Sequence, residues 1–273
     1  MSDDLLVVTT ERGVRTLRMN NPRRLNGWTL PMQSAIGAAL DAAARDDDVG
    51  AVVLTGTGRY YCAGADLSGS FRLGHPRELR AMIVRKNYEL FDQFIRFDKP
   101  ILIAANGVVL GAAVTTSVLC DAIIAAESAS FSTPFARLGV PPEGCSTVLF
   151  PRLFGEEVTE RIIGAEGFEP TAAEALEIGL VDWVVPDDAL LTRAQEIAEG
   201  WIAEGHPRTY RGEITRAELE AANARESEEV ADAFLSRRFL MNQYRFLKSK
   251  KKTGPAMTFF ALAMTRPLWG RLL

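Results

Sequence analysis

The chain has 273 residues, 31 basic against 35 acidic side chains, a net charge of −4 and a hydrophobic content of 47%, so it can bury one large core or one domain plus an appendage. The acidic balance argues against a nucleic-acid protein, which carries a basic excess. Cys62, Cys120 and Cys145 are too few and too scattered for a disulfide framework or a zinc site and suit a reducing, cytoplasmic setting, while two histidines, His75 and His206, leave little for a His-based metal centre.

The N-terminal Met1-Ser2-Asp3-Asp4-Leu5-Leu6 lacks the basic and apolar regions of a signal peptide. Leu5–Thr10 and Val14–Met19 are β-rich runs joined at Glu11-Arg12-Gly13, an opening hairpin. Thr29 caps a predicted helix with Pro31 in its first turn, running to about Arg45, and Ala51–Thr55 is a compact buried strand. Strand, helix, strand is the order of a parallel sheet or a right-handed spiral. A loop is expected from Gly56 to Leu67 and a Gly- and Ser-rich, mobile segment from Ser68 to Pro76. Helix periodicity returns from Glu78 to Arg96, with Met82, Leu90 and Phe94 on an apolar stripe.

From Ile101 to Leu119 there is no charge over 19 residues, long enough to cross a bilayer. Asn106-Gly107 and Gly111 interrupt it, so a buried strand (Ile101–Ala105), a turn and a short helix ending near Cys120 account for it better. Asp121–Ala126 and Ala129–Ser132 read as strands. Helices are expected at Cys145–Leu153, at Glu156–Ile163 and from the capping box Thr171–Glu174 to Gly179. A strand at Val181–Val185 and a helix at Leu190–Ala203 follow. Beyond residue 205 strand signals vanish and long charged helices take over, notably Glu228–Phe246, which sets a boundary between a core of residues 1–205 and a helical region of residues 206–273.

Three features carry chemistry. Glu143 is the one carboxylate between Glu127 and Glu156, stiffened by Pro141-Pro142 and followed by the flexible Gly144. An acid isolated in apolar surroundings has a raised pKa and can act as a general base or acid, whereas a solvated loop glutamate is the simpler account of Glu143 on its own. The glycine-marked turns Cys62-Ala63-Gly64-Ala65-Asp66-Leu67 and Asn106–Ala113 both follow buried strands. Each can present free N–H groups to a developing negative charge, or can simply pack a strand tightly against a helix. The cluster Lys248, Lys250, Lys251 and Lys252 either is a solvated helix end or attracts phosphates, together with Arg23 or Arg24. The apolar stretch from Ala256 to Leu273 suits a subunit interface better than a membrane, because Arg266-Pro267 breaks it.

In Cys62–Leu67, Asn106–Gly111, Cys120-Asp121, Phe131–Gly139 and Leu176–Asp182 the chain resembles the crotonase family of enoyl-CoA hydratases and isomerases, over about residues 5 to 200. The resemblance implies an α/β fold, a spiral of ββα turns with a C-terminal helical region that builds trimers or dimers of trimers. It implies an acyl-CoA substrate that itself carries the CoA, with no separate cofactor, metal, nucleic acid or membrane. It places the thioester oxygen on the N–H groups of Ala65 and Ala112, and the rest of the ligand near Arg24, Ala63, Gly64, Asp66, Leu67, Gly111 and Phe135.

The departures narrow the reading. The resemblance puts the two acids of a hydratase where this chain has Thr115 and Phe135, while Pro142-Glu143-Gly144-Cys145-Ser146 is similar to the peroxisomal-type delta-3,delta-2-enoyl-CoA isomerases. The expected function is therefore a double-bond shift through the single base Glu143, in fatty-acid metabolism. Rival readings are a hydratase using Glu143 with another partner, a CoA-dependent dehalogenase or hydrolase with Glu143 as nucleophile, and a non-catalytic acyl-CoA-binding domain like that of chromodomain-Y-type proteins.

Overall fold

The computed structural model describes residues 4–65 and 74–273, so Asp66, Leu67 and most of the Ser68–Pro76 segment lie outside the described residues. β1 (Leu6–Glu11) and β2 (Val14–Met19) form an antiparallel hairpin. Its two-residue turn has both Arg12 and Gly13 at positive φ, the geometry that matches strand twist in tight hairpins. α1 (Leu30–Ala44) begins where Thr29 accepts a hydrogen bond from the Met32 N–H and turns Met32, Ile36, Leu40 and Ala43 into the core.

From there one unit repeats. β3 (Ala51–Gly56), β4 (Tyr60–Cys62) and α2 (Pro76–Ile95) form one turn. β5 (Ile101–Ala105), β6 (Val108–Leu110) and α3 (Ala112–Val118) form the next. β7 (Ala122–Ala126), β8 (Phe131–Ser132) and the one-turn α4 (Phe135–Leu138) form a third. The first strand of each turn enters a six-stranded sheet of order β1-β2-β3-β5-β7-β9, where β9 is Trp183–Val185, and the second enters a three-stranded parallel sheet of order β4-β6-β8. This is a spiral of ββα turns, as expected. The regions read as the loops Gly56–Leu67 and Asn106–Gly111 contain β4 and β6, which is a correction: each strand is three residues long and pairs only with a segment more than twenty residues away.

β3, β5 and β7 are buried at every position, because helices cover both faces of their sheet. On one face lie α1, α2 and α3; on the other, Leu190, Ala194 and Ala198 of α7 (Leu190–Glu204) pack on Val14, Ala51, Val53, Leu102 and Ile124. α5 (Ser146–Ile163) bends at Gly155, whose φ of 75° and ψ of 166° divide it into the two helices anticipated. α6 (Ala172–Glu177) carries the full Thr171–Glu174 capping box and leads to β9 (Trp183–Val185).

After α7 the chain is anchored by Asp121. Its carboxylate accepts from the Ile101 and Thr209 N–H groups and pairs with Arg208 at 2.9 Å, the two side chains only 1% and 5% exposed. α8 (Arg216–Phe234) then lies along α2. The single helix expected over Glu228–Phe246 is corrected to two: Ser236 takes the Phe239 N–H and starts α9 (Arg237–Ser249), so helix periodicity alone concealed a break marked by a capping serine. α10 (Thr253–Trp269), most of the apolar C-terminal stretch, folds back on α9.

Candidate active site

The second strand of each spiral turn delivers a short connection to the same end of the small sheet. Behind β4 the chain turns through Ala63-Gly64-Ala65, with the Ala63 N–H on the Leu25 carbonyl and the Gly64 carbonyl accepting from Trp28. Behind β6 it turns at Gly111 (φ 55°, ψ −122°), the residue preceding α3. The two turns touch through their backbones. A Cβ at Gly64, where φ is +79°, would sit 2.6 Å from the Leu110 carbonyl oxygen and 3.7 Å from the Ala112 nitrogen. Only glycine fits that approach. Among the described residues no acceptor receives the N–H of Ala65 or Ala112, and that of Ala112 belongs to the unpaired first turn of a helix.

Between these turns and α2, α4 and α8 lies a cavity of about 510 Å³, within the range of small-molecule sites. Ala63, Gly64, Ala65, Gly111, Ala112, Phe135 and Glu143 all line it, so the structure brings together seven of the ten residues singled out in the sequence. Arg24 stands on the one-turn helix Pro22–Arg24 and is not part of the described lining, and Asp66 and Leu67 lie outside the described residues. Apart from Gln33, Lys86 and Asn87 the remainder of the wall is apolar, from Met82, Ile83 and Leu90 of α2 to Val230 and Phe234 of α8.

Glu143 is the one acid of this described lining and is 8% exposed. Burial lifts its carboxyl to about 7; a hydrogen bond from Asn87 pulls the other way, and the nearby Glu226 adds to the lift. The amide of Asn87 donates to Glu143 Oε2 at 2.5 Å. Behind the acid, the Glu143 carbonyl accepts the Ser146 hydroxyl at 2.8 Å, closing the turn into α5. Lys86 stands on the wall with its ammonium 3.0 Å from Glu89, its own partner.

Thr115 and Phe135, in the positions associated with hydratase acids, have distinct surroundings. Phe135 faces the cavity, whereas Thr115 is fully buried and presses on the turn after Glu143. A Cβ on Gly144 (φ +68°) would come within 2.5 Å of Thr115 Oγ1 and 2.6 Å of a Phe91 ring carbon. Gly144→Ala is therefore expected to cost about 2 kcal/mol or more in urea unfolding, from overpacking and a left-handed backbone together.

Asn87, Glu226, Val230 and Phe234 were not anticipated from the sequence. Their signal was there: Ile83, Asn87, Leu90 and Phe94 share one face of α2, and Asn223, Glu226 and Ser227 interrupt the buried face of α8. A polar side chain on an otherwise apolar stripe marks a site. Among the described residues no three His, Cys, Asp or Glu side chains gather as a metal site, and no helix is long and apolar enough to cross a membrane.

A parallel spiral whose two backbone turns share one cavity with one buried acid defines a class of α/β proteins. The chain belongs to the enoyl-CoA hydratase/isomerase family, the crotonases, whose family model matches residues 9–252. It is 35% identical to enoyl-CoA delta isomerase 2 of Homo sapiens over 262 residues, which is 91% of this chain and 64% of the human protein. It is 34% identical to 1,2-epoxyphenylacetyl-CoA isomerase of Escherichia coli, over 71% of this chain and 75% of that protein. Among solved structures it is similar to an enoyl-CoA hydratase/isomerase from Pseudoalteromonas atlantica, with a TM-score of 0.77 and 26% identity, covering 90% of this chain and 98% of that one.

Proposed function

We propose that this chain binds a 3-enoyl-CoA and moves its double bond to the trans-2 position, with Glu143 as the single proton carrier. The observation that carries the reading is the pairing of one buried carboxyl, lifted to about 7, with a largely apolar wall and two backbone turns. The thioester oxygen sits between the N–H groups of Ala65 and Ala112. Hydrogen bonds there stabilise the enolate oxygen that forms as C2 loses its proton, and so make that proton acidic enough to remove. The ionised Glu143 accepts the C2 proton, electron density spreads over the dienolate, and the same carboxyl, now protonated, returns a proton at C4. No net proton is exchanged, so one group performs both transfers. The hydrogen bond from Asn87 holds the carboxylate in place while it alternates between the two carbons.

Two further features support isomerisation over hydration. Addition of water needs a second acid or base to handle the water, and the positions that the family resemblance gives those acids hold Thr115 and Phe135. The relative named above that is matched over the largest share of this chain, 91%, is called a delta isomerase, with 64% of its own length covered.

The deciding experiment offers 3-hexenoyl-CoA and crotonyl-CoA in parallel and follows the 2-enoyl chromophore. Chromophore must appear from the first substrate at a rate well above its loss from the second; rapid hydration of crotonyl-CoA and no isomerisation would overturn the reading. The pH profile is a second test. The base works only when ionised, so kcat/KM is expected to fall tenfold per unit as pH drops below about 7, the value to which burial lifts Glu143.

A further inference from the structure

Helix α8 belongs to the C-terminal region, far in sequence from both turns and from Glu143. Three polar side chains on its buried face, Asn223, Glu226 and Ser227, are each 0% exposed. Asn223 donates to the Tyr88 carbonyl at 3.1 Å, next to Asn87 on α2. Ser227 Oγ donates to Asn87 Oδ1 at 2.9 Å, leaving the other side of that amide to donate to Glu143. Glu226 reaches the opposite flank: one oxygen accepts the Cys145 N–H at 2.6 Å, the other the Thr147 N–H at 3.1 Å and the Thr147 hydroxyl.

These contacts do something local chemistry does not. Cys145 precedes α5 with a left-handed φ of 63° and makes no side-chain cap. A non-glycine residue held there is strained, and a helix start without a cap leaves N–H groups unpaired. The carboxylate of Glu226 supplies both missing elements from another helix, through charge-assisted bonds from two backbone N–H groups and the Thr147 hydroxyl. Glu143 lies two residues before Cys145, so its backbone is fixed by Glu226 while its carboxyl is fixed by Ser227 acting through Asn87.

We propose that the adjacent pair Glu226 and Ser227 on α8 positions the base Glu143 from both sides, so that the C-terminal helix is part of the catalytic device rather than a scaffold for assembly alone. This rests on the reading of Glu143 as the base. Both are positioning residues; Glu226 is not part of the described cavity lining. Glu226 is also a neighbouring acid: burial lifts its own carboxyl to about 7 against the pull of its hydrogen bonds from Thr147 and Cys145, and where it is ionised its charge disfavours ionisation of Glu143. The other ionisable groups around the acid are otherwise engaged. Lys86 of α2 is on Glu89, Arg225 of α8 on Thr147, Arg137 of α4 near Glu169, and the Cys145 thiol is pushed well up by burial.

The test reads the ionisation of Glu143 directly, by carboxyl ¹³C NMR of glutamate-labelled protein, with its signal assigned by its loss in Glu143→Gln. In Glu226→Gln the Glu143 midpoint is expected to fall by about one pH unit as the neighbouring charge is removed. Glu226→Asp, which keeps the charge, should hold the midpoint near that of the wild type. In Ser227→Ala the midpoint should rise, because a loosened Asn87 stabilises the carboxylate less. The acid limb of kcat/KM for 3-hexenoyl-CoA should move in the same two opposite directions. A purely structural role would lower the rate in both variants and leave the midpoints alone; folded variants with unmoved midpoints would overturn the proposal. If the midpoints move as expected but 3-hexenoyl-CoA is not turned over, the positioning stands and the isomerase reading falls.

Discussion

Replacing Glu143 by glutamine should lower the isomerisation of 3-hexenoyl-CoA by 10²–10⁴-fold, the usual contribution of a positioned proton-transfer group. Glutamine has nearly the same size and can still meet the Asn87 amide through its own carbonyl, so the loss isolates the proton transfer. The rest of the cavity wall is untouched, and affinity for the CoA ester by calorimetry should stay within a few-fold of the wild type. Near-wild-type turnover in this variant would remove Glu143 from the chemistry. The same substitution has a stability signature of opposite sign. A carboxyl whose pKa is raised by folding favours the folded state fully below its unfolded pKa, and that contribution is lost as pH rises through about 7. Glutamine, which never ionises, escapes the loss. Glu143→Gln should therefore be the more stable protein at pH 8, by on the order of 3 kcal/mol, since each tenfold change in an acid's dissociation constant on folding is worth about 1.4 kcal/mol. At pH 4 it should show little advantage. Urea melts at the two pH values check this. A base that loses activity and gains stability on neutralisation is the expected behaviour of a buried catalytic acid.

The second large effect is expected from Ala112→Pro. Ala112 is the first residue of α3, and proline is accepted there because its fixed φ suits the first turn and the N–H it lacks has no helical partner. The substitution removes one N–H from the cavity and leaves the helix a normal start. If that N–H holds the enolate oxygen, kcat should fall 10²–10³-fold, equivalent to about 2.7–4 kcal/mol of barrier. Circular dichroism and thermal unfolding should show a folded protein, which separates the lost donor from a lost fold. Combining this variant with Glu143→Gln should lose less than the product of the two single effects, because base and oxyanion donors act on one transition state. Full activity in a folded Ala112→Pro protein would place the thioester oxygen elsewhere.

Much of this was legible along the chain. The start of α1 at Thr29, the capping box at Thr171 and the buried runs of β3, β5 and β7 are short-range matters, settled by side chains within a turn or a strand of one another. Glu143 stood out because prolines and a glycine flank it directly and no other acid lies between Glu127 and Glu156. The strands β4 and β6 were not visible, since three residues have no periodicity to recognise and take their order from partners in other spiral turns. The break at Ser236 was missed for the opposite reason: helix-forming residues on both sides masked one cap.

Composition, periodicity and a few glycines thus sufficed for the order of strands and helices and for marking two glycine turns and one isolated acid, because each depends on local backbone preference or on which residues avoid water; the spiral of ββα turns was what the family resemblance implied. How the acid is held did not follow from them. Asn87, Glu226 and Ser227 come to Glu143 from segments 56 to 84 positions away, through hydrogen bonds that exist only when α2 and α8 lie side by side. Whether a carboxyl is a solvated loop residue or a base near neutrality is decided by the water it loses and the donors it meets. Both are properties of packing, and packing unites parts of the chain that carry no record of each other in their order.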